Sequence, residues 1–410
     1  MAPSKLHIPR PPARPGEAPD FSYLQLIPAG KQGKPTLDIE AKDTFEMANG
    51  LVRVLDDRHR AVGPWFKALD AAKLREGLRL MQLTRLFDDR MQRMHRQGRI
   101  SFYMKSTGEE AVSVAQGMAL ASDDMLFPSY RNQALHLVRG RNLVDLMNQC
   151  LSNVRDTSKG RQLPVLYHWL EGNIFTLSGN LATQFPQAVG WAMGEAIKGG
   201  QRLAVTWLGD GATAEADFHY ALTFAAVYRA QVILNVVNNQ WAISTFQTTA
   251  GGEQLSFAAR APGYGVAGIR VDGNDFLAVY AVTEWAAERA RRGMGPTLIE
   301  HVTYRAGPHS TSDDPTRYRP KNDWEAWPLG DPIERLKQHL IASGEWSEEQ
   351  DEAQRKELEA YVTKCWKEAV SYGSLDEGSG IDPATMFEDV YEEMTPLLQQ
   401  QRSKWRAERS

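Results

Sequence analysis

Cysteine is nearly missing from this chain. The two present, Cys150 and Cys365, lie far apart and form no CxxC pair, which excludes a disulfide framework or a zinc ribbon and fits a reducing compartment. Long apolar runs are missing too: no stretch of about 18 apolar residues is available to span a bilayer. Positive charge is not in excess, since 47 Lys and Arg stand against 51 Asp and Glu for a net charge of -4. With a pI of about 6.2, no basic field argues for nucleic acid or an anionic membrane. Internal repeats are absent. What the chain does have is core material: 42% of its 410 residues are hydrophobic, enough for one large or two ordinary domains.

The opening MAPSKLHIPRPPARPGEAPDF lacks the continuous apolar core of a secretory signal. Its prolines oppose the amphipathic helix of a transit peptide. A cytoplasmic protein is expected, with an extended Pro-rich arm over 1–43 that is either disordered or laid along a partner subunit.

Beyond the arm, apolar spacing predicts helices over 69–95 and 108–120. The segment 176–196 opens with the polar turn TLSGNLATQ and continues as an Ala/Gly-rich buried helix. The clearest unit follows. LAVTWL (203–208) reads as a strand, 215–228 as a helix and VILNVV (232–237) as a second strand. Strand, helix, strand implies a parallel pair. Further strands are expected at 269–271 and 297–302, around a helix over 276–292. The fold class expected is a doubly wound, mainly parallel α/β domain over 44–327, with a helical extension over 328–410.

The turn after the first strand, Gly209 to Ala214, reads G-x-G-x-x-A and satisfies a dinucleotide fingerprint. Both strands of such a unit end on one sheet edge, where ligands bind. A dinucleotide site needs an acid after the second strand to hold ribose hydroxyls, but that strand runs into Asn238 and Asn239. The acid sits instead between the glycines, as Asp210. Beside phosphate-binding backbone amides, a carboxylate repels phosphate unless a cation lies between them. Asp210 and Asn239 offer hard oxygens suited to octahedral Mg²⁺ that also takes diphosphate oxygens. A tight strand-to-helix turn without ligand explains the glycines alone, though not their coupling to the paired asparagines.

This GDG…NN pattern resembles the signature of thiamine diphosphate enzymes. GDGATAEADFHYALTFAA with NNQWAIST, and FPSYRNQALHLVRG, KGRQLPVLYHW, APGYGVAGIRVDGND and YRAGPHSTSDDPTRYR, are similar to the alpha subunits of two-component 2-oxo acid dehydrogenases, most of all the bacterial branched-chain form. The resemblance implies that Asp210, Asn239 and the Trp241 carbonyl hold magnesium. It implies that Gly209, Gly211 and Ala212 present backbone to the diphosphate, that Tyr130 and Arg131 contact it, and that the Leu181 backbone meets the pyrimidine. His309 is the implied loop histidine beside the phosphate and the active-site mouth, followed by Ser310 where mitochondrial relatives are phosphorylated, a regulation not expected here.

Ser178, Asn180, Thr183 and Gln184 match a segment that binds structural potassium in some relatives. Asn180 replaces a proline there, and a plain helix N-cap by Ser178 competes with the ion. Val237 replaces an arginine, so Arg131 and His309 are expected to carry more of the phosphate charge. Phe102, Tyr130 and Leu181 are candidates for an apolar substrate pocket.

In that family the glutamate that activates the cofactor lies on the beta subunit, and no glutamate here has an independent claim to its role. The resemblance therefore implies an α₂β₂ heterotetramer acting on branched-chain 2-oxo acids and passing the acyl group to a lipoylated dihydrolipoyl acyltransferase core. A pyruvate or acetoin dehydrogenase alpha subunit, an NAD-dependent oxidoreductase and a non-catalytic scaffold remain the rival readings.

Overall fold

The computed structural model describes residues 6–409. Seven strands run in chain order: β1 (Met125–Phe127), β2 (Ala204–Gly209), β3 (Val232–Asn238), β4 (Trp241–Ala242), β5 (Thr245–Phe246), β6 (Ala267–Asp272) and β7 (Thr297–Val302). Five form one sheet in the order β1-β2-β3-β7-β6, every pairing parallel. β4 and β5 form a small antiparallel ladder.

The strands are apolar on both faces because both faces are covered. Successive side chains alternate sides, and they divide accordingly. Val205, Trp207, Ile233 and Ile299 join one buried cluster with the helices Ala71–Arg96, Glu110–Ala119 and Phe276–Arg291. Ala204, Leu208, Val232, Leu234, Val236 and Leu298 join another with Gln184–Ile197 and Ala216–Val227. This is the doubly wound α/β architecture expected.

The TLSGNLATQ turn is irregular, with Ala182 at φ 65, and the buried helix starts at its last residue, Gln184, as the sequence reading has it. Two local features depart from that reading. The glycine motif itself forms a 3-10 turn, Asp210–Ala214, and the α-helix starts only at Ala216. The arm, among its described residues, is seated on its own chain. Phe21 packs edge-on against Tyr304 and Trp327, Tyr23 against Phe246, and the Tyr23 hydroxyl donates to Gln240 Oε1 at 3.1 Å. Aromatic residues give the arm apolar area that proline content alone does not reveal.

After Trp327, the helices Pro332–Ala342 and Glu348–Val370 cover Ala71–Arg96, burying Leu336, Leu340, Leu358 and Val362 in the same cluster as Leu78 and Met81. No helix among the described residues is long and apolar enough to cross a membrane.

Candidate active site

Parallel register decides which residues meet. Gly209 pairs with Val237, and Asn238 with Val302, so β2, β3 and β7 end together. Past those ends come Asp210, Asn239 and the segment Arg305–His309. β1 delivers Tyr130 and Arg131 to the same edge. A cleft of about 450 Å³ opens there, lined by Phe102, Tyr130, Arg131, Leu181, Gly209, Asp210, Gly211, Ala212, Asn239, Trp241 and His309. Ser178, Asn180 and Gln184 line it as well; Thr183 does not.

Asp210 is 1% exposed. Its Oδ1 accepts the Gly211 N–H at 2.9 Å, while Oδ2 is buried without a hydrogen-bond donor. Burial, only partly offset by that N–H, raises its pKa to about 7. Arg305 acts on this carboxylate only at a distance and does not outweigh its burial. The carboxylate also occupies the Gly211 N–H, one of the backbone groups expected to face a diphosphate.

The glycines serve different ends. A Cβ on Gly209 would meet nothing within 4 Å, whereas one on Gly211 would sit 2.3 Å from the Ala242 Cβ. Gly209 therefore leaves space in the cleft, and Gly211 lets the turn close on β4.

Asn239 is held at both ends: Nδ2 donates to Glu109 Oε1 at 2.7 Å, and Oδ1 accepts the Trp241 N–H at 3.2 Å. The Trp241 carbonyl, an expected metal ligand, already accepts from Arg305 Nη1 at 2.9 Å, which leaves it one lone pair. Arg305, 1% exposed, also donates to the Ile243 carbonyl and the Tyr318 hydroxyl.

Arg131 is engaged too. Its guanidinium donates to the Lys105 and His309 carbonyls, lies 3.1 Å from His309 Nδ1 and has Glu109 Oε1 at 3.7 Å from Nε. Burial, with Arg131 and Arg305 alongside, depresses the His309 pKa to about 3. A neutral imidazole cannot supply the positive charge expected of it in place of the missing arginine at Val237. That expectation is corrected, because a base wedged among two guanidiniums resists protonation.

The capping expectation for Ser178 also fails. Its Oγ accepts from Asn180 N at 3.1 Å, and the helix starts at Gln184 behind Thr183, whose side chain makes no cap bond. Ser310 is buried, its Oγ accepting from Ser312 N.

Residues 78–377 match the family model described as "Dehydrogenase E1 component". The chain belongs to the dehydrogenase E1 component family. Its arm has a counterpart within that family, since residues 2–42 match the model "2-oxoisovalerate dehydrogenase E1 alpha subunit N terminal". The 2-oxoisovalerate dehydrogenase subunit alpha of Pseudomonas aeruginosa is 59% identical over 98% of each chain. The mitochondrial subunits alpha of Mus musculus and Homo sapiens are 39% and 38% identical, over 86% of this chain and 78% of theirs. The chain is thus homologous, nearly end to end, to alpha subunits of branched-chain 2-oxo acid dehydrogenases.

Sequence reasoning missed Glu109 and Arg305 at this site. Glu109 stands next to Glu110 in an acidic pair that reads as an ordinary first helical turn, and Arg305 had only its place in the YRAGPHS segment to mark it. A further signal lies in the backbone. Val165 (φ 71) and Ile243 (φ 54) are β-branched residues in the left-handed region, and both line the cleft. Such conformations are outliers that gather where function constrains the chain.

Proposed function

We propose that this chain is the alpha half of a thiamine diphosphate-dependent, branched-chain 2-oxo acid dehydrogenase E1 component, binding the diphosphate–magnesium end of the cofactor. The observation that carries the reading is Asp210: a buried carboxylate oxygen without a donor, at a sheet edge shared with Asn239. That arrangement fits a hard divalent cation. Asp210 Oδ2, Asn239 Oδ1 and the free lone pair of the Trp241 carbonyl would hold Mg²⁺. Ala212, Tyr130 and Arg131 line the same cleft and would bind the diphosphate, Arg131 through charge-assisted bonds. Leu181, at the cleft wall, would meet the pyrimidine. His309 would act as a neutral hydrogen-bonding group at the mouth.

Thiamine diphosphate, when bound, supplies the carbon nucleophile that attacks a 2-oxo group and holds the electrons left as carbon dioxide departs. The residues of this chain orient the cofactor and shield it from water. Phe102, Leu181 and Ile243 offer apolar surface for a branched tail. The ion expected in the 178–184 turn is potassium, through Ser178, Asn180, Thr183 and Gln184. Gln184 already spends its Nε2 on the Trp207 carbonyl at 2.6 Å, so its oxygen is the end left for a cation.

The acid that activates the cofactor would come from a beta subunit, in a cytoplasmic α₂β₂ assembly serving a lipoylated acyltransferase core. The chain is organised as an arm over 1–43, a cofactor-binding domain over 44–327 and a helical extension over 328–410. Co-expression with a beta subunit and measurement of 2-oxo acid decarboxylation tests the proposal. Turnover of 3-methyl-2-oxobutanoate well above that of pyruvate is expected. Preference for pyruvate would overturn the branched-chain assignment, and no decarboxylation with any beta partner would overturn the function.

A further inference from the structure

Glu109 is a carboxylate 4% exposed that does not line the cleft, yet it touches two of the groups that do. Its Oε1 accepts from Asn239 Nδ2 at 2.7 Å and lies 3.7 Å from Arg131 Nε. Burying a carboxylate costs several kcal/mol unless it is paired and hydrogen-bonded, so this placement calls for a reason. The two ends of a carboxamide differ: one donates, the other accepts. An ionised carboxylate accepts only. With Glu109 behind it, Asn239 must turn Nδ2 away from the cleft and leave Oδ1 as its free coordinating atom. Trp241 N on that oxygen at 3.2 Å fixes the same orientation from the other side and leaves one lone pair for a ligand.

The second contact extends the effect. Arg131 reaches past Glu109 to the His309 carbonyl at 2.7 Å, so one carboxylate ties the end of β3, the segment after β1 and the loop after β7. Glu109 is itself fixed by the fold. It is the N-cap of Glu110–Ala119, and the neighbouring Gly108 carbonyl accepts from Thr303 Oγ1 at 2.7 Å.

We infer that Glu109 is a positioning residue that sets the orientation of the Asn239 carboxamide, and through it the affinity of the cleft for a divalent cation. The inference rests on the cofactor reading above. It gives Glu109 no contact with cofactor or substrate.

The test uses the alpha chain assembled with its beta partner, and Mn²⁺ binding read by electron paramagnetic resonance in the presence of thiamine diphosphate. Glu109→Gln is isosteric but allows either end of the facing amide to approach. It is expected to weaken Mn²⁺ binding about tenfold, with the melting temperature of the cofactor-free assembly unchanged. Asn239→Asp sets two carboxylates against each other and is expected to weaken binding further. The double variant Glu109→Gln/Asn239→Asp reverses donor and acceptor across the same contact and is expected to recover most of the affinity lost by Asn239→Asp alone. A merely structural role would not produce that recovery. Wild-type affinity in Glu109→Gln, or no recovery in the double variant, would overturn the inference. Failure of the wild-type assembly to take up Mn²⁺ with thiamine diphosphate would overturn the cofactor reading itself, and that arm is read before any variant.

Discussion

Asp210 shows what a single side chain can be made to do by its surroundings. One oxygen accepts a backbone N–H and the other is buried without a donor, so the fold carries an unfavourable group at the mouth of its cleft. Substitution in a strand-to-helix turn ordinarily leaves folding nearly intact, but Asp210 is 1% exposed, which turns the stability prediction toward gain. Asp210→Asn removes a buried charge while keeping size, and leaving a charge buried and uncompensated costs more than the isosteric amide. The cofactor-free variant should melt at the wild-type temperature or a few degrees above it, on the order of 1 kcal/mol, while calorimetry finds Mg²⁺-dependent thiamine diphosphate binding lost. Ile243 carries a related tension. It is 52% exposed with φ 54, a conformation that Asn tolerates better than a β-branched residue. Ile243→Asn should therefore stabilise the fold by about 1 kcal/mol in thermal melts and lower kcat/KM for branched-chain substrates, because the cleft loses an apolar wall.

The elements were legible where period and punctuation agreed. The strands at 203–208, 232–237 and 297–302 lie within a residue or so of β2, β3 and β7, because apolar runs bounded by Gly, Asn and Pro leave few alternatives. β1 escaped notice: Met125–Phe127 is three residues long, too short for a period. The α-helix after the glycine motif was placed one residue early, and the 3-10 turn before it was not foreseen, since nothing in GDGATAE distinguishes the two ladders. That Asp210 and Asn239 border one cleft was legible through the chemistry of hard oxygen ligands. Arg305 was not, because its role depends on acceptors from two segments far apart in sequence, 241–243 and Tyr318.

Gly211→Ala puts a Cβ 2.3 Å from Ala242, and the turn after β2 must part from β4. Overpacking of this kind costs about 1–3 kcal/mol, and cofactor affinity in titration calorimetry should fall with it, whereas Gly209→Ala should leave the melting temperature within about a degree of wild type. His301, buried on β7 and donating through Nε2–H to Asn235 Oδ1 at 3.0 Å, has its pKa pushed down by burial from 6.5 to about 3. The unfolded chain then binds a proton that the folded chain refuses. The stability this residue contributes is complete above pH 6.5 and is lost as pH falls toward 3. Thermal melts between pH 7 and 4 should therefore show His301→Gln losing less stability on acidification than wild type; an equal or steeper loss contradicts the assignment.

At the scale of the whole molecule, four strand ends converge on one edge and an aromatic-bearing arm closes over the neighbouring surface. The arm holds through Phe21 and Tyr23 on Tyr304, Trp327 and Phe246. In the proposed site a divalent ion joins Asp210 and Asn239 to a diphosphate. The most direct measurement is electron–nuclear double resonance on the Mn²⁺-loaded α–β assembly with thiamine diphosphate. A phosphorus coupling to the metal in wild type, absent in Asp210→Ala, is the predicted result. Metal without phosphorus coupling, or a coupling that survives loss of the Asp210 carboxylate, would contradict it.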